Sequence, residues 1–204
     1  MNHILKSARL LLAILMIGVW PSESSAQNDF QEGYIVTTSN DTLYGLVKDR
    51  KTGSFSGLFR KIRFKGKRGK RKYSPKEVQS YTRGGNTFET FQLIGTGRFF
   101  DDDYRISANG EYQYLRVVEK GYLSYYLLEY EEDDSSYVDT IAYFKKNNED
   151  RFIRVNQGLF GLKRKKLSSY FSDCPELAER IQNKKVKHPI DIVHFYNKWK
   201  ADSL

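Results

Sequence analysis

The chain has 204 residues, with 34 Lys and Arg against 25 Asp and Glu, a formal net charge of +9 at pH 7. Fifteen tyrosines, thirteen phenylalanines and only four prolines exclude a disordered polyelectrolyte, because that much aromatic surface requires a core to bury it. The single cysteine, Cys174, excludes an internal disulfide. The positive charge does not choose among polyanions: nucleic acid, anionic lipid and acidic polysaccharide all attract a basic protein.

At the N-terminus, Lys6 and Arg9 flank the start of an apolar run from Leu10 to Trp20, and Ser24-Ser25-Ala26 follows. A positive segment, an apolar segment and small residues are the parts of a secretory signal peptide. Cleavage is expected after Ala26. The run is about half of the ~20 residues that span a bilayer, so no transmembrane helix is expected in the mature chain. The expected layout is a signal peptide over 1–26 and one exported domain over 27–204. Within it, 27–157 forms a β-rich body and 158–204 a helical tail packed on it. The expected location is the periplasm, the outer-membrane periphery or the exterior.

In chain order, Tyr34-Ile35-Val36-Thr37 and Thr42 to Val47 read as strands around a Ser39-Asn40-Asp41 turn. Arg60 to Lys65 resumes a strand. Gly66 to Lys72 reads as a flexible loop. From Arg60 to Lys72, nine of thirteen residues are basic and none is acidic. Tyr73 to Val78 is a turn opened by Pro75. Val78 to Arg83 and Asn86 to Ile94 are strands joined by Gly84-Gly85. Gly95-Thr96-Gly97 precedes Arg98-Phe99-Phe100, which reads as a strand, so it lacks the third glycine and helix of a dinucleotide site.

The stretch Tyr112 to Tyr130 is the organising element. Two runs rich in Tyr, Val and Leu favour strands, joined by Glu119-Lys120-Gly121. A two-residue turn at Lys120-Gly121 sets Arg116 opposite Tyr125 and Leu115 opposite Tyr126. Both faces are then apolar, so the pair is expected to be covered on both sides or closed into a barrel-like curl. Tyr137 to Lys145 and Arg151 to Val155 form a last strand pair. The acidic runs Asp101 to Asp103 and Glu131 to Asp134 lack the ligand alternation of a calcium loop.

Helical spacing begins after Gly158. Leu162 to Phe171 is one helix. Asp173 is placed as the N-cap of a second, beginning at Pro175. A third runs from Ile190 to Lys200, with Val193, Tyr196 and Trp199 facing the sheet. The fold class is therefore α+β, an antiparallel β-rich body followed by two to three helices.

Several segments together resemble a large family of exported proteins from Bacteroidota. They are Gly33 to Val36, Asp41 to Gly45, Tyr73 to Val78, Tyr114 to Gly121, Asp173 to Leu177 and Tyr196-Asn197. Asn40 stands where such proteins often have Gly. The resemblance implies an envelope location and a β-rich body with C-terminal helices, and it implies no activity.

No sequence motif marks a catalytic residue, a metal site or a cofactor site. His188 and His194 are six apart, not the three or four that put two ligands on one helix face. Cys174 at a helix N-terminus has no base placed beside it by spacing. The expected function is a non-enzymatic interaction or structural role in the envelope. A second reading is a polyanion- or glycan-binding module in which Arg60, Lys61, Arg63, Lys65, Lys67, Arg68, Lys70, Arg71 and Lys72 hold an anionic envelope polymer or a lipid headgroup. The export signal argues against nucleic acid. A third reading is an enzyme whose site is assembled from loops.

Overall fold

A computed structural model describes residues 30–49, 61–96, 103–131, 138–156 and 161–203. The expected signal peptide, Arg60, the Arg98-Phe99-Phe100 run, Asp101-Asp102 and most of the second acidic run lie outside the described residues. Among the described residues, no helix is long and apolar enough to cross a membrane.

Among the described residues, eleven strands precede three helices. They are β1 (Gln31–Thr37), β2 (Thr42–Lys48), β3 (Ile62–Gly66), β4 (Gly69–Tyr73), β5 (Val78–Arg83), β6 (Asn86–Gly95), β7 (Tyr104–Ile106), β8 (Glu111–Glu119), β9 (Leu123–Glu131), β10 (Val138–Lys146) and β11 (Arg151–Arg154). The helices are α1 (Arg164–Tyr170), α2 (Pro175–Gln182) and α3 (Pro189–Asp202). A 3-10 turn, Pro75–Glu77, stands between β4 and β5, closed by a Ser74/Glu77 capping box.

All pairings are antiparallel, in the order β4-β3-β2-β1-β5-β6-β7-β11-β10-β9-β8, and β8 returns to pair with β6. Six strands therefore close into a barrel, and β5 to β1 to β4 extend from it as a second sheet. β6 belongs to both. One of its edges carries β8 along Thr87 to Leu93, while the other serves β5 and then β7.

Closure explains the two-sided strands. Leu115, Tyr126, Tyr143 and Phe152 point into the barrel, where they cluster with Leu93. Their neighbours Phe144 and Ile153 point outward into a different core with Leu167, Phe171, Leu177, Ile181, Val193 and Tyr196 of the helical segment. Successive residues enter successive cores because strand side chains alternate. The helical tail thus covers one outer wall of the barrel. The extension has its own core. Tyr81 stacks on Phe88 at 4.7 Å and meets Tyr114 edge-on at 5.1 Å. Ile62, Phe64 and Tyr73 join the same cluster. The 3-10 turn after β4 reaches back to β8, with Lys76 Nζ 6.0 Å from the Tyr112 ring, so this sheet curls.

The α+β class, the strand pairs and the three helices agree with expectation. The register of the central hairpin does not. Arg116 pairs with Leu127 and Val117 with Tyr126, with an irregularity at Val118. A bulge on β8 and a three-residue link, Lys120 to Tyr122, slide the pairing by two residues. A shift of two keeps every side chain on its face, so the expected two-sided burial survives the wrong register. β7, only three residues long, was not expected, yet it completes the barrel. Asp173 does not cap α2: the N-cap position is Cys174.

Candidate anion-binding face

The basic run forms a β-hairpin: β3 falls where a strand was expected, and β4 stands where Gly66 to Lys72 was expected to be a flexible loop. Apolar and basic residues alternate in β3, so Ile62 and Phe64 are buried while Arg63 and Lys65 are exposed. Lys67-Arg68 makes the turn, closed by Gly66 opposite Gly69. Gly69 adopts φ +103, a region open to glycine. Gly66 is needed for a different reason: a Cβ there would run into the Phe64 ring. The glycines shape a tight turn rather than keep a loop flexible.

The register fixes where each cation goes. Arg63 lies opposite Lys72, and Lys65 opposite Lys70. With Lys61 they form one exposed face, and Lys67 and Arg68 stand exposed at the tip. Spacing along a strand between same-face residues is about 6.6 Å, and cross-strand Cβ atoms are about 5 Å apart. Arg71 falls on the opposite face, across from Phe64. Its guanidinium donates to Glu77 at 2.9 Å and lies 4.5 Å over the Tyr73 ring. The backbone N–H of Ser74, then its hydroxyl, hold the Glu77 carboxyl below its ordinary range, and burial opposes them only in part. Arg71 is thus engaged internally, and Arg60 lies outside the described residues.

Beside the tip is a cleft of about 1000 Å³, walled by the hairpin turn and by the β1–β2 turn, with Leu43, Phe64 and Tyr73 among its lining. Asn40 takes φ 65 in that turn. Ser39 donates to Asp41 at 3.0 Å, and the Asp41 backbone N–H donates to the Thr37 hydroxyl at 3.1 Å. Tyr44 is 74% exposed and tilts against Tyr34 at 5.8 Å. The sequence reading did not single out this aromatic pair. The expected turn did not contain it: centred on Ser39-Asn40-Asp41 it would set Tyr34 opposite Leu46, whereas the register is centred on Ser39 and pairs Tyr34 with Tyr44.

Such a face attracts by multiple charges. Like charges directly opposite one another on a hairpin destabilise it, so a polyanion laid across them would relieve repulsion as well as gain attraction.

The other singled-out residues fall elsewhere. Cys174 is fully buried in the core under the helices. Burial, aided by Asp173 and Glu176, pushes its thiol up, and the opposing Leu177 backbone bond does not offset this. His188 and His194 are both exposed on or beside α3. Among the described residues, no group of three or more His, Cys, Asp or Glu is arranged to hold a metal ion.

Compared with known families, curated proteins and solved structures, the chain matches no family model and has no significant match among the proteins or the structures.

Proposed function

We propose that the chain is an exported, non-enzymatic binding protein of the bacterial envelope, and that its β3–β4 hairpin holds an anionic polymer. The observation that carries this reading is the register that faces Arg63 with Lys72 and Lys65 with Lys70 on one exposed surface. The signal-peptide pattern of residues 1–26 and the resemblance to exported Bacteroidota proteins support the compartment. The flat array suits a repeating anion better than a single small one, since no one group can neutralise charges spread along two strands.

The test is retention of the purified protein on immobilised heparin, used as a generic polyanion, beside anionic phosphatidylglycerol vesicles and neutral dextran. Retention on heparin should fall steeply with salt, as polyanion binding does. The variant carrying Lys65→Gln, Lys67→Gln, Arg68→Gln and Lys72→Gln should elute at lower salt. Unchanged elution would sink the hairpin reading. Binding to the vesicles without binding to heparin would replace the polymer by a lipid headgroup and overturn the proposal.

A further inference from the structure

A second cleft, of about 1210 Å³, opens where the β8–β9 and β10–β11 turns meet α1 and α3. It shares no lining residue with the hairpin cleft. Its floor is built around Lys146, which is only 8% exposed. Lys146 Nζ donates to the Tyr170 carbonyl at 3.0 Å and to Asp173 Oδ1 at 2.9 Å. It lies 4.5 Å from the Tyr170 ring centroid and 5.4 Å from that of Tyr196. Asp173 Oδ2 accepts the Tyr196 hydroxyl at 2.6 Å. One lysine therefore ties the end of β10 to the turn before α2 and, through Asp173, to α3. The walls of the cleft are fixed before any ligand arrives, which lowers the ordering cost of binding.

The charges on those walls are unequal. Lys146 is matched by Asp173, with Glu149 4.0 Å away. Lys166 is matched by Asp103 at 2.7 Å. Arg151, Lys165 and Lys200 also line the cleft, and among the described residues none of the three has a carboxylate within ion-pair distance. They come from β11, α1 and α3, so they converge from three directions. The lining also includes neutral hydrogen-bonding groups, Asn147 and Asn148 at the β10–β11 turn, and Tyr122, which is 38% exposed.

We infer that this cleft is a binding site for a short acidic oligosaccharide. Cations converging from three elements match carboxylates carried on separate sugar units. Side-chain amides match hydroxyls, and an exposed phenol ring offers an apolar face to a pyranose. A lone inorganic anion would satisfy the cations and leave the amides and the ring unused. The inference stands on this cleft alone and does not depend on the hairpin.

Calorimetric titration of the purified protein tests it, with trigalacturonic acid as the probe and maltotriose and inorganic phosphate as comparators. Trigalacturonic acid should bind, and maltotriose should not. The double variant Lys165→Glu/Lys200→Glu should weaken binding by ~tenfold or more, and Tyr122→Ala should weaken it separately. Lys165 is exposed, whereas Lys200 is half-buried with its Nζ 5.5 Å from the Trp199 ring centroid. Lys165→Glu alone should therefore leave the melting temperature in place and still weaken binding, which keeps the test valid if the double variant melts lower. Neutralising Lys65 and Lys72 on the hairpin should leave this affinity unchanged, so the two sites fail or stand separately. Absence of binding, equal binding of maltotriose, or a double variant that binds as well as the parent would each overturn the inference. Phosphate binding as tight as that of the saccharide would overturn the assignment to a sugar.

Discussion

Asn197 on α3 clasps the backbone of Leu123 from both sides. Its Oδ1 accepts the Leu123 N–H at 2.6 Å and its Nδ2 donates to the Leu123 carbonyl at 3.0 Å. The first residue of β9 thereby gains from a helix side chain the two bonds that a neighbouring strand would otherwise supply. Gly121 is required by the same clasp, because a Cβ there would overlap the Asn197 amide. Asn197→Ala should cost about 1–3 kcal/mol, since a part-buried N–H and C=O lose their partners together. Asn197→Asp keeps the acceptor and loses the donor, so it should fall between. Gly121→Ala should destabilise in the parent and cost less in the Asn197→Ala background, where the obstructing amide is gone. Denaturant midpoints for the four proteins would show this coupling, and strictly additive losses would contradict it.

Asp173 makes stability depend on acid. Burial raises its carboxyl pKa, but the bonds from Tyr196 and Lys146 and the charge of Lys146 outweigh that, so it sits below the ordinary 3.8. A depressed acid stabilises the fold while it is ionised. The contribution is present above 3.8 and disappears as pH falls through the lower, folded value. Asp173→Asn should therefore be less stable than the parent at neutral pH, and the gap should narrow on acidification below 3.8. Its side chain is 42% exposed, and solvent screening limits the neutral-pH loss to about 1 kcal/mol. A gap that widened in acid would mean the carboxyl is protonated in the folded state.

Local patterning carried most of the fold and little of the site. Alternation and turn residues located the strand pairs around Asn40 and Gly84-Gly85, because those signals sit within a few residues of one another. The central hairpin was readable as two-sided but not in register, because no local residue pattern marks the bulge at Val118. β7 escaped because three residues carry no period of two. Asp173 looked like a helix cap, since an Asp two residues before Pro175 fits the start of a helix. Its actual partners, Lys146 and Tyr196, are 27 and 23 residues away, and no spacing rule links them. The cations of the hairpin were all visible, but which of them share a face depended on a pairing that a flexible-loop reading does not contain.

The barrel encloses a charged group at one end. Glu89 on β6 accepts from the Tyr126 hydroxyl at 2.8 Å and from Lys120 at 3.0 Å, and Lys120 also donates to the Tyr126 oxygen at 2.8 Å. Burial first, and the Glu89 charge second, push the Tyr126 hydroxyl pKa up, so at neutral pH it is protonated and donates to Glu89. Tyr126→Phe should cost about 1 kcal/mol, the net value of one such bond. Lys120 is half-exposed and regains water when its partner goes, so Glu89→Leu should cost less in the Tyr126→Phe background than in the parent. Equal costs in the two backgrounds would show that the three groups act independently.

The hairpin gives a prediction in which stability and binding move in opposite directions. Lys72 stands opposite Arg63 on the exposed side of β4, and among the described residues neither has a carboxylate within ion-pair distance. Lys72→Thr removes the repulsion and places a β-branched residue in a strand, so it should stabilise the fold by about 0.2–1 kcal/mol. The same change removes one charge from the proposed polyanion face, so the salt-dependence slope on heparin should drop by about one. Lys187→Thr, an exposed change outside any strand or helix, loses the same formal charge and should alter neither stability nor slope to that degree. A surface charge kept at a cost to the fold is expected to serve contact with a partner. If Lys72→Thr lowered stability, the facing cations would not be repelling one another. If it left the slope unchanged, the face would not be where the polyanion lies.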